Sequence, residues 1–78
     1  MISIKDLLDK LKWDDRFDID DYTLFYHDRI KDEEIAIDCK DMKIEGSFII
    51  LDKDGEEVQI PLHRVRRVMK RNMTVWRR

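Results

Sequence analysis

The sequence predicts an α+β domain: an N-terminal helix packed on a curved, mainly antiparallel sheet of about five to six strands, with residues 1–78 forming a single domain. Three observations lead there. Aliphatic residues recur with a helical period near the N-terminus. Aromatic and β-branched residues dominate from Tyr22 onward. Turn-forming residues separate those later runs at short intervals.

The helix rests on Ile4, Leu7, Leu8 and Leu11, which fall at i, i+3, i+4 and i+7 while Lys5, Asp6, Asp9, Lys10 and Lys12 face outward. Ser3 suits its N-cap, with Asp6 three residues on as a weak capping box. WDDRFDIDD (13–21) is acidic, lacks a period and reads as a loop. YTLFYH (22–27), apolar on both faces, suits a central strand, and Tyr22 and Tyr26 share a strand parity, with one of them expected in the core. RIKDEE is a polar turn, EIAID a second strand and CKDM a single helical turn. KIEGSFIIL reads as strand three with Gly46 as a bulge, DKDG closes a hairpin and EEVQI is strand four. Pro61 interrupts that strand's donor row. Val65 and Val68 stand an odd number apart, so one alternating strand cannot bury both. A turn over 62–65 followed by a strand over 66–71 removes the conflict, with Asn72 and Met73 turning the chain so that TVW pairs back.

A chain of 78 residues has a thin core, burying about 60–65% of its unfolded surface. No segment approaches the roughly 18 apolar residues of a membrane span, and MISIKDLLDK lacks the apolar run of a signal peptide. Cys39 is the only cysteine, a pattern of reduced cytoplasmic proteins. Charged residues make up 44% of the chain, but the 42% hydrophobic content and small net charge argue against disorder. Dense charge of both signs is compatible with the surface ion-pair networks of thermophiles.

Charge is strongly segregated. All 18 acids lie in residues 1–61 beside nine bases, a net of −9, whereas Leu62–Arg78 carries seven Lys and Arg and no acid. Two or three charges would suffice to guard an edge strand, and surface pairs with Asp are worth little. Seven cations interleaved with His63 and Trp76 instead suit an anion: guanidinium binds phosphate bidentately, His donates to it, and an aromatic stacks on a base. Metal chemistry finds little support, since His27, His63 and Cys39 lack zinc spacing and DKDGEE fails the calcium-loop spacing. No cofactor is expected. Cys39 suits a small buried side chain better than a nucleophile. Asp14, directly after Trp13, is placed to cap a turn or to orient Arg64 or Arg66. The other acids of its loop offset the basic tail.

Four segments, LKWDDRFDIDDY (11–22), YHDR (26–29), IPLHRVRRV (60–68) and the terminal VWRR, together resemble a family of small archaeal proteins known as the RNA cyclic-group end-recognition domain. The resemblance spans almost the whole chain. It implies a non-catalytic RNA-binding module for processed ends, 2′,3′-cyclic phosphate termini above all, working beside an RNA ligase, cyclase or phosphoesterase. Its motif maps onto Trp13 and Asp14, Tyr26 and Arg29, then His63, Arg64 and Arg66, and Trp76. Two departures stand out: WDDR where many relatives read W-D-P-R, and RNMTVWRR where the last hairpin usually carries Gly and acids. On this expectation His63 and Arg64 hold the phosphate, Arg66 and Arg67 track the backbone, and Trp13 or Trp76 packs on the terminal nucleoside. Core packing is favoured over stacking for Trp13, while Trp76 is also placed to cap the sheet. The rivals are a protein-interaction subunit that docks an acidic partner through its basic tail, and a minimal enzyme opening the cyclic phosphate with His63 as acid or base.

Overall fold

Ser3 starts the helix: its side-chain oxygen accepts the Asp6 N–H at 3.1 Å, and α1 runs Ile4–Trp13 with Ile4, Leu7, Leu8 and Leu11 buried. The computed structural model describes residues 2–78. The strands are β1 (Tyr22–Asp28), β2 (Glu33–Asp38), β3 (Lys43–Glu45), β4 (Phe48–Lys53), β5 (Glu56–Pro61), β6 (Val65–Lys70) and β7 (Met73–Arg77). Short 3-10 turns at Cys39–Asp41 and Leu62–Arg64 join β2 to β3 and β5 to β6. None of the described helices is long and apolar enough to cross a membrane.

The α+β class holds, but the single sheet of five to six strands does not. There are two antiparallel sheets, ordered β2-β1-β6-β7 and β3-β4-β5. The extra strand arises at Gly46, which is not a bulge. Glu45 pairs with Phe48, so Gly46 and Ser47 form a two-residue hairpin loop, and Gly46 takes φ +58°. Glycine reaches that region without a Cβ penalty, and the chain reverses where one long strand was expected. The DKDG hairpin forms as the sequence indicates, joining β4 to β5 with Lys53 opposite Glu56. The Leu62 N–H donates to Ser47 O at 2.9 Å, stitching the start of the second crossover to the small sheet.

The core lies between α1 and the inner faces of both sheets. Leu8, Leu24, Met42, Ile49, Val65, Val68 and Cys39 are its fully buried members. β1 is central in its sheet, as its apolar character requires, and it buries both Tyr22 and Tyr26. Val65 and Val68 both reach the core within one strand through a β-bulge. Tyr26 pairs with Val65 and Phe25 with Arg67, so Arg66 has no opposing residue and the parity shifts by one. The strand therefore begins at Val65 and not at Arg66. Cys39 is enclosed, and burial pushes its thiol up to about 12. Native protein should therefore resist a thiol reagent, labelling only as fast as it unfolds; rapid stoichiometric labelling would contradict this packing.

Candidate nucleic-acid interface

The bulge that buries Val65 and Val68 also sets the surface chemistry. It turns Arg66 outward and leaves Arg67 on the outer face of the four-stranded sheet, opposite Arg77 of β7. Like charges directly across a ladder are unfavourable, so the fold alone gives no reason for this pair. Next to it, the Arg78 N–H donates to Arg66 O at 2.9 Å. Glu34, Arg66, Arg67, Thr74, Arg77 and Arg78 line a groove of about 410 Å³.

The four arginines are held differently. Arg67 is half-buried, its guanidinium carbon 4.0 Å from the Phe25 ring centre and its Nε donating to Glu34 Oε1 at 3.2 Å. Arg78 donates from Nε to Val65 O at 3.0 Å and from its terminal nitrogen to Leu62 O at 3.2 Å, which ties the chain end to the 3-10 turn. Arg66 and Arg77 are exposed and form no ion pair among the described residues. Two ligand-ready guanidinium groups thus flank a third that stacks on an aromatic ring.

His63 and Arg64 occupy the turn that Arg78 ties down. His63 is exposed, whereas Arg64 is half-buried and its Nε is shielded without a hydrogen-bond partner. Neither lines the groove, but the register places their turn, the β1–β2 loop and the end of β7 at one end of the sheet. Arg29 is exposed in that loop. Asp28 shapes it by accepting the Lys31 and Ile30 N–H groups, which hold the Asp28 carboxyl below its ordinary range. His27 pairs with Asp32 at 2.9 Å in the same region.

The aromatic residues depart most from expectation. Trp13, for which core packing was favoured, is 84% exposed and lies in a separate concavity with Asp9, Lys12, Lys43, Ile44 and Glu45. Trp76 is buried, its indole N–H donating to Ile2 O at 2.9 Å, so it caps the sheet and presents no open stacking face. Tyr26 is likewise core. Asp14 orients neither Arg64 nor Arg66. It is the C-cap of α1, its N–H donating to Lys10 O, and it caps the following turn: its carboxylate accepts both the Arg16 guanidinium and the Arg16 backbone N–H, which hold its pKa down to about 2. Asp21 does offset the tail, since it accepts both the Arg71 guanidinium and the Arg71 backbone N–H.

Sequence reasoning overlooked Arg77, Arg78, Thr74, Glu34 and Phe25. Arg77 and Arg78 were legible as part of the acid-free run. Pairing TVW back onto the preceding strand also brings them close to Arg66 and Arg67. Glu34 and Phe25 carried no such signal, because only the β2-β1-β6 order puts them beside Arg67. Among the described residues no three His, Cys, Asp or Glu side chains converge as a metal site.

Fold and groove define a small α+β domain with an arginine-lined surface site at the open face of its larger sheet. The chain belongs to the family described as the MJ1316 RNA cyclic group end recognition domain, whose match covers residues 1–78. It is 35% identical over 63 residues to a UPF0248 protein of Methanococcus maripaludis strain C7, covering 80% of this chain and 78% of that one. A UPF0248 protein of Saccharolobus islandicus strain L.S.2.15 is 32% identical over 82 aligned residues, covering 99% of this chain and all of its own. No solved structure matches the chain. The family's name describes recognition, a binding role, of RNA ends bearing a cyclic group.

Proposed function

We propose that this protein is a non-catalytic module that binds RNA 3′ ends carrying a 2′,3′-cyclic phosphate, acting in cytoplasmic RNA repair or processing beside a ligase, cyclase or phosphoesterase. The observation that carries the reading is the pairing of Arg67 directly with Arg77 inside an arginine-lined groove. Glu34 offsets only part of that repulsion, and a bound anion would relieve the rest. Arg66 and Arg77 hold the phosphate. Arg67, braced on Phe25, offers its remaining planar face to the terminal base, as guanidinium planes do in RNA recognition. His63 and Arg64 reach in from the turn at the same end of the sheet, and Arg29 follows the backbone from the adjacent loop. Trp13, Tyr26 and Trp76 stay outside this contact set.

The test is binding of short labelled RNAs identical except for a cyclic phosphate, linear phosphate or hydroxyl 3′ end, at two salt concentrations. A preference for the cyclic end that persists at higher salt is expected. Equal binding that collapses with salt would reduce the groove to counterion release. No RNA binding at all would favour an acidic protein partner, and conversion of the cyclic end during incubation would favour the minimal enzyme.

A further inference from the structure

The groove contains one group that attraction of an anion does not require, a carboxylate. Glu34 comes from β2, the strand farthest from β7 in the sheet order, yet it lines the groove with four arginines. Its side chain is 41% exposed and its Oε1 lies 3.2 Å from Arg67 Nε. Arg67 does not depend on it for placement alone, because Phe25 lies under the guanidinium and Met69 Sδ is 3.4 Å from a terminal nitrogen. The charged groups around Glu34 are Arg67 and Arg66 of β6, Arg77 of β7 with Arg78 just beyond it, and its cross-strand neighbour His27, itself engaged by Asp32.

Four guanidinium groups by themselves would favour the more highly charged of two phosphate ends. A terminal phosphomonoester carries about 1.5 to 2 negative charges near neutral pH, whereas a cyclic phosphate, being a diester, carries one. A carboxylate in the groove wall repels each unit of ligand charge, so it penalises the monoester more than the diester. Resting on the RNA-end reading above, we infer that Glu34 sets the charge selectivity of the groove, offsetting the arginines' bias toward the dianion so that a monoanionic phosphodiester end competes. The ring's shape and the terminal base then distinguish one diester end from another.

Glu34→Gln keeps the side chain's size and removes its charge. The experiment measures affinities of wild type and E34Q for RNAs ending in a 2′,3′-cyclic phosphate, a 3′-methyl phosphodiester and a 3′-phosphomonoester. The methyl diester is monoanionic but acyclic, which separates charge from ring shape. In E34Q, both monoanionic ends should gain by a common factor and the monoester by more. The monoester-to-cyclic affinity ratio should move about three- to tenfold toward the monoester, as one further unit of charge at groove distances implies. An equal change for all three ends overturns the inference, and so does a uniform loss, which would make Glu34 a positioning residue for Arg67. Wild type that ignores the 3′ end would instead sink the RNA-end reading, and the inference with it.

Discussion

Replacing Arg66 and Arg77 together by alanine is expected to weaken binding of cyclic-phosphate RNA by about 100-fold or more. Each loses a charge-assisted hydrogen bond worth about 1.5–3 kcal/mol, and every ~1.4 kcal/mol is tenfold in affinity. The fold should survive, because both side chains are exposed, neither forms an ion pair among the described residues, and removing Arg77 relieves its repulsion with Arg67. The salt dependence of binding should fall by about two phosphate contacts. Arg71→Ala is the internal control: that guanidinium is committed to Asp21 at the far end of the sheet, so its loss should change affinity little. Equilibrium titration beside thermal denaturation decides the matter. Unchanged affinity in the double variant would remove the groove from the binding site.

The second large effect separates the two tryptophans. Trp76→Ala should cost about 3–5 kcal/mol, the range for truncating a buried aromatic. It also strands Ile2 O, which accepts the indole N–H, and removes the ring beside the Arg78 guanidinium 5.4 Å away. A domain of this length has a total stability of roughly 4–12 kcal/mol, so the variant should unfold at a much lower temperature or fail to fold. Trp13→Ala, at an 84% exposed position, should stay within about 0.5 kcal/mol of wild type. Chemical denaturation of the two variants, with Trp76→Phe as a milder third, checks the contrast. Equal destabilisation by both alanine substitutions would overturn the assignment of Trp76 as core and Trp13 as surface.

These two tryptophans also show how far local pattern reaches. Trp13 follows an apolar helical stripe, and extending the period suggests burial. Yet α1 ends there, and Asp14 turns the chain through its hold on Arg16, leaving the indole in solvent. Trp76 sits among cations at the chain end, a context that suggests exposure. Its strand partner is Val68, a core residue, and the pleat therefore turns the ring inward. The parity of Val65 and Val68 carried a true signal of irregularity, but a turn and a bulge both satisfy it. The choice between them depended on pairing with β1, many residues away.

The sequence by itself determined the helix and its buried stripe, the central character of β1, the DKDG hairpin and the segregation of cations into one acid-free run, because each follows from spacing along the chain. It also carried the family resemblance, through segments spread across the whole chain. Only the tertiary structure decided that the strands divide into two sheets, that the chain reverses at Gly46 to pair β3 with β4, that Arg66 is the extra residue of a bulge, and that Glu34 and Phe25 join Arg67 across three strands. The reason is physical. Period and turn chemistry act between residues a few positions apart, whereas a groove is built by register between distant strands, and a shift of one residue sends a side chain to the opposite face.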